Sequence, residues 1–181
     1  EDAVAGMAII GRLIPVAFGV VFALSGAIGP IIGQNFGAGR HDRVRGALRD
    51  GLLFTAVTIL LVTTVLFLFR APIADLFNAT GLARDLVFLF CGPLALAWFF
   101  NGVIFVSNAA FNNLGHPCYS TWINWGRHTL GTIPFVIAGG ALFGAPGVLI
   151  GQAFGGFVAA GVALALAARV TRVAAEAAAE R

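Results

Sequence analysis

The sequence predicts an all-α, polytopic transmembrane helix bundle of about five spans. Three observations carry that prediction. Of its 181 residues, 59% are hydrophobic and 10% charged, where an ordinary soluble domain carries roughly 25% charged residues. Five separate stretches each hold about twenty consecutive apolar residues, the length that a hydrocarbon core of about 30 Å demands of a helix. The remaining charges cluster between those stretches, above all in GQNFGAGRHDRVRGALR at 33–49, and so mark membrane boundaries. Glycine, at 24 residues, fits the same class, because small residues let membrane helices approach closely.

The first expected span is 8–32, with Arg12 near its start, Pro15 in its first half and Pro30 at its end. The second, 51–69, carries no charge and is dense in β-branched residues. Its length, roughly twice that of a buried strand, selects a helix in lipid. Residues 70–85 read as a polar connector with a short amphipathic turn around Ile73–Phe77. Asn78-Ala79-Thr80 matches a glycosylation acceptor, a short and common pattern.

The third span, 86–111, contains Pro93, Asn101, Ser107 and Asn108. NNLGHP at 112–117 is a tight turn, since the residue before proline is pushed out of the helical region. The fourth span, 119–143, holds Asn124, Arg127 and Pro134, and GAPG at 144–147 turns the chain into the fifth, 148–168. An alanine-rich charged tail, 169–181, extends the last helix into solvent. GPIIGQNFG at 29–37 and GVLIGQAFG at 147–155 echo each other; a structural repeat and convergent glycine packing both account for the echo.

All basic residues apart from the three histidines are arginines, so orientation rests on counting them. If the 33–50 loop is cytoplasmic, that side holds Arg40, Arg43, Arg45, Arg49, Arg169, Arg172 and Arg181, against Arg70 and Arg84 opposite. The positive-inside rule then puts the C-terminus in the cytoplasm and the protein in the plasma or inner membrane. The chain opens on Glu1–Asp2 with no initiator Met and no signal peptide. With an odd number of spans, its start reads as a cut with further helices upstream.

Polar groups inside the apolar runs must face protein or a cavity. Asn101 and Asn108 are seven apart and share a helix face, with Trp98 and Phe105 beside it. One reading is a cavity wall for a flat amphiphilic or cationic ligand; the other is hydrogen bonding between helices. Arg127 is an intramembrane charge that either snorkels to headgroups or pairs with an acid. No acid occurs within any of the five spans, so such an acid would come from outside this chain.

Several function classes are excluded. There is no P-loop, no HExxH and no Ser/His/Asp grouping, so the chain does not read as an enzyme. Cys91 and Cys118 read as small hydrophobes; the histidines at 41, 116 and 128 are scattered. No metal site and no cofactor is expected. No basic patch interleaved with aromatics speaks for nucleic acid.

PIIGQNFGAGR at 30–40, followed by Asp42 and Arg43, resembles a segment of the multidrug and toxic compound extrusion (MATE) transporters that closes a helix and opens a cytoplasmic loop. Its residues Gly33, Gln34, Asn35, Gly37, Gly39 and Arg40 would shape that helix end. LGHP at 114–117 with Asn124, Trp125, Arg127 and Pro134 looks like the entry to the last-but-one helix of the family, and GAPGVLIGQAFG at 144–155 like the entry to the last.

The resemblance implies an incomplete half of a twelve-helix, two-lobe transporter: the last five helices, without the first helix of that lobe or the N-terminal lobe. It implies a secondary antiporter that exports small organic cations and drugs by rocking two lobes, with Asn101, Asn108, Trp98 and Phe105 as candidate cavity residues. Some members hold a coupling cation on an acid in the helix matching the third span, where this chain has Asn101. Protons rather than sodium are the expected coupling ion, on an aspartate outside this chain. Expected partners are therefore the bilayer, the organic cation and the missing lobe. A flippase for lipid-linked saccharides and a non-transporting scaffold subunit are the alternatives.

Overall fold

A computed structural model describes residues 2–179, and among them every regular element is helical. The elements are α1 (Asp2–Gly37), α2 (His41–Leu76), α3 (Gly81–Leu89), a π-helical turn (Phe90–Leu94), α4 (Ala95–Asn113), α5 (Pro117–His128) and α6 (Ile133–Ala179). Four helical stretches are long and apolar enough to cross a membrane, the last running from Pro117 to Glu176. That last stretch contains two passes. Gly144 takes φ 63°, ψ −141°, a conformation open to glycine and costly for any residue with a Cβ.

The two limbs of α6 fold back on each other. Gly147 packs against the backbone of Gly139, Gly151 against that of Phe135, and Gly155 against the Gly131 carbonyl. Each four-residue step along one limb meets a four-residue step back along the other, the spacing of small residues that lets helix backbones touch. The expected turn at 144–147 is thus present, and the five expected passes are recovered.

The echo between the two glycine motifs is packing of two kinds. Gly29 and Gly33 face the side chain of Asn113, whereas Gly147, Gly151 and Gly155 face backbone.

At the centre stands α4, packed against α1, α2, α5 and α6. Its small residues Gly102, Ala109 and Ala110 are buried, and a Cβ on Gly102 would collide with Thr55 of α2. The outward faces carry large apolar side chains, among them Leu60, Leu61, Leu68 and Phe69 of α2, as a lipid-facing surface must. Arg12 is likewise exposed on α1.

Two expectations need correction. The connector expected at 70–85 is only Phe77–Thr80, because α2 runs through Pro72 to Leu76. Pro72 removes one N–H from the ladder, and the helix continues past it for about one more turn. Arg84 closes the connector on Asp75, and Arg70 lies 4.2 Å from the Phe67 ring centroid. The fourth span is interrupted at Thr129–Thr132. The expected tail is continuous with α6 up to Ala179, and Arg172 pairs with Glu176 at 3.7 Å; Arg181 and Glu1 lie outside the described residues.

Three connections use one device to satisfy the carbonyls at a helix end. Arg40 N–H donates to Asn35 O (2.8 Å), Ala79 N–H to Ala74 O (2.9 Å) and His116 N–H to Phe111 O (2.8 Å). In each the preceding residue is left-handed: Gly39, Asn78 and Gly115 at φ 68°, 51° and 83°, the arrangement of a Schellman cap. Asn78, met first as a glycosylation pattern, is the one non-glycine among them.

The hairpin yields a paired prediction. In the full-length protein, Gly155→Leu forces the limbs apart and lowers stability by about 1–3 kcal/mol. Gly161→Leu, where a Cβ meets open space, leaves it within about 0.5 kcal/mol. Thermal unfolding in detergent compares the two.

Candidate functional site

The site begins with two interruptions in helices. Gly92-Pro93 opens the third span: Gly92 sits at φ −102°, ψ −116° inside the π-helical turn Phe90–Leu94, and proline offers no N–H to the ladder. Opposite it, α5 stops at His128, with Thr129 at φ −95°, ψ −87°. The polar backbone freed there is re-paired locally, as a membrane interior requires. Thr132 Oγ1 donates to Arg127 O (2.7 Å), and Gly131 N–H to Gly126 O (2.8 Å).

Between these interruptions lies a cavity of about 290 Å³. Ile10, Ile14 and Leu149 supply apolar wall; Asn101, Arg127, His128, Thr132 and Gln152 supply the polar groups. Arg127 Nη1 donates to Asn101 Oδ1 at 2.9 Å, and Nη2 lies 3.0 Å from His128 Nε2. Because a guanidinium has no acceptor, that imidazole nitrogen accepts. The Arg127 guanidinium also stands 5.9 Å from the Phe105 ring centroid.

Trp98 forms the aromatic wall. Its ring stacks on Phe18 with centroids 4.6 Å apart and planes 8° from parallel, and Phe22 meets it edge-on at 6.0 Å. Phe22 in turn touches Phe105 at 5.4 Å. A second crevice, about 260 Å³ and largely apolar, opens on the other side of Arg127 between α5 and α6, with Trp122, Leu130 and Phe135 in its walls.

Of the four cavity residues expected from the sequence, Trp98 and Asn101 line the cavity and Phe105 flanks it through Arg127 and Phe22. Asn108 lies elsewhere. Its carbonyl accepts from Ser120 Oγ at 3.3 Å, and its Oδ1 is buried with no partner among the described residues. Arg127, expected as an intramembrane charge, meets no acid among the described residues; it turns to Asn101.

The 33–40 motif is remote from the cavity. Gly33 packs on Asn113, Asn35 Nδ2 donates to Ile31 O at 2.8 Å, and Gln34 O accepts from Ala38 N–H at 3.1 Å. Gly39 and Arg40 complete the cap and Gly37 ends α1.

Phe18, Phe22, His128 and Gln152 were not singled out from the sequence. Phe18 and Phe22 share a face by their four-residue spacing, and Gln152 was visible as the polar residue of the last span.

Residues 1–138 match the family described as MatE. The chain belongs to the MatE family.

With four helical stretches long and apolar enough to cross a membrane, this member of the family is a multi-pass membrane protein. A protein of Pseudomonas savastanoi, described as an uncharacterized 21 kDa protein in the iaaL 5' region, is 39% identical over 173 residues, covering 88% of this chain and 53% of its own length. A protein of Shewanella oneidensis named FAD transporter is 31% identical over 150 residues, covering 83% of this chain and 33% of its own.

The fold is that of the Vibrio cholerae MATE transporter VcmN in its bent form, with TM-score 0.88 and 23% identity over 96% of this chain and 40% of that one. The MATE transporter ClbM in complex with Rb+ gives TM-score 0.84 and 25% identity, covering 97% and 42%. The chain therefore spans about half the length of its relatives or less.

The Arg127–Asn101 bond joins two helices across the cavity, and a double-mutant cycle measures it. Asn101→Leu and Arg127→Leu are expected to couple by about 0.6–2 kcal/mol in thermal stability. Asn108→Leu, which removes a buried oxygen with no partner to lose, should leave stability unchanged or raise it by about 1 kcal/mol.

Proposed function

We propose that this chain forms most of one lobe of a secondary antiporter that moves flat organic solutes across the cytoplasmic membrane by alternating access. The observation that carries the reading is the placement of the cavity between two interrupted helices, at the π-helical turn Phe90–Leu94 and at Thr129–Thr132. Broken helices around a mid-membrane cavity are how secondary transporters bring polar groups to a solute without exposing backbone to lipid. Trp98, stacked on Phe18, suits a planar ring, and the relative named FAD transporter supports a fused-ring solute.

The organic cations implied by the family resemblance would need their binding charge from the other lobe. Protons are the proposed coupling ion, since Asn101 is neutral and the spans of this chain hold no acid; the titrating carboxylate would lie in the remainder of the transporter. The arginines at 40, 43, 45 and 49 support a cytoplasmic C-terminus. A flippase for lipid-linked saccharides is the second reading, favoured by one feature, Arg127 bordering the cavity. Flipping of a fluorescent saccharide lipid in vesicles would favour it over the first.

Transport is tested with the full-length protein in proteoliposomes. An imposed pH gradient should drive uptake of a planar dye where a sodium gradient does not, and Trp98→Ala should lower the rate at least tenfold; equal rates with both gradients would count against proton coupling. Orientation is tested with Cys118, which is exposed, while Cys91 is buried. In a protein with Cys118 as its only exposed cysteine, an impermeant maleimide should label it from the cytoplasmic side and not from outside.

A further inference from the structure

We infer that the cavity takes an aromatic anion: a carboxylate, sulfonate or phosphate docks on the Arg127 guanidinium while the ring system lies against Trp98. The inference rests on the transporter reading and adds the sign of charge that this lobe selects.

Arg127 is ten residues past Pro117, about 15 Å along the helix, one residue before α5 stops at the edge of the cavity. Every group the structure brings to it is neutral: the Asn101 amide, the His128 ring and the Phe105 face. None of the acids with described positions, Asp2, Asp42, Asp50, Asp75, Asp85 and Glu176, pairs with Arg127. The guanidinium is thus a whole positive charge in a low-dielectric setting, with five N–H donors and hydrogen bonds to two neutral acceptors.

An oxyanion of any of these kinds offers two oxygens that match that fork in two parallel hydrogen bonds and cancels the charge in the same step. The ring system attached to it would reach Trp98, which lines the same cavity and is backed by the buried, near-parallel ring of Phe18. Gln152, also in the wall, offers an amide to a ring nitrogen or carbonyl. A cationic solute of the same shape would meet Trp98 and be repelled by Arg127.

The test compares two planar dyes of similar outline, fluorescein as the anion and rhodamine 123 as the cation. Binding to the purified full-length transporter is followed by fluorescence polarisation. Fluorescein should bind at least tenfold more tightly than rhodamine 123. Arg127→Gln should weaken fluorescein at least tenfold, with Arg127→Lys keeping part of the affinity. Asn101→Asp puts a built-in carboxylate beside Nη1, so it should weaken fluorescein equally and strengthen rhodamine 123.

The aspartate variant keeps Arg127 paired and guards against a loss caused by misfolding. Rhodamine 123 binding as tightly as fluorescein, no fluorescein binding, or fluorescein affinity within twofold of the parent in both Arg127→Gln and Asn101→Asp would overturn the inference. The last result would mean that a carboxylate elsewhere in the transporter already neutralises Arg127. Gradient-driven transport of rhodamine 123 with no fluorescein binding would leave the antiporter standing and remove only the anion assignment. Failure of a pH gradient to move either dye would count against the antiporter itself.

Discussion

Hydrocarbon offers no hydrogen bonds, and most of this structure follows from that one constraint. Each backbone N–H and C=O inside the bilayer has to find its partner within the protein. Long helices meet the demand along their length, and their ends meet it with the left-handed caps at Gly39, Asn78 and Gly115. Three threonine hydroxyls turn back on their own helix: Thr55 Oγ1 donates to Gly51 O, Thr64 to Leu60 O and Thr171 to Ala167 O, at 2.8, 2.8 and 2.9 Å. These side chains add no cross-link; they hide a polar group so that their helix can face apolar neighbours.

The same constraint makes association between helices a matter of contact rather than of water release. Lipid is as apolar as leucine, so backbones that come close and pack without gaps hold the bundle together. Glycine is used where closeness is greatest, at the facing limbs of α6 and between Gly102 and Thr55. Where the chain has no such need, as at Gly161, glycine faces open space.

Against this setting the cavity stands out as the place where the rule is bent. Two helices are interrupted there, yet Thr132 and Gly131 re-pair the backbone of the second within a few residues. What is left over is the Arg127 side chain, held by neutral partners. Asn101 is a neutral amide, so it holds the guanidinium in place without cancelling its charge.

The helical class, the five passes and the turn at 144–147 were all legible in the sequence, for a local reason: apolar length and small-residue turns are properties of consecutive residues. PIIGQNFGAGR pointed to the family for the same reason. Interruptions were harder to place. Pro93 announced the one in the third span, but the break at Thr129–Thr132 has no proline within it, and Pro134 follows it. Asn101 and Asn108 look equivalent along the chain, seven residues apart on one face. Only packing told them apart, because α5 brings Arg127 to the first and Ser120 to the backbone of the second. The sequence by itself determined which charge is buried in the membrane. Tertiary structure decided what that charge meets, because Arg127 and Asn101 are 26 residues apart and no local pattern links positions on different helices.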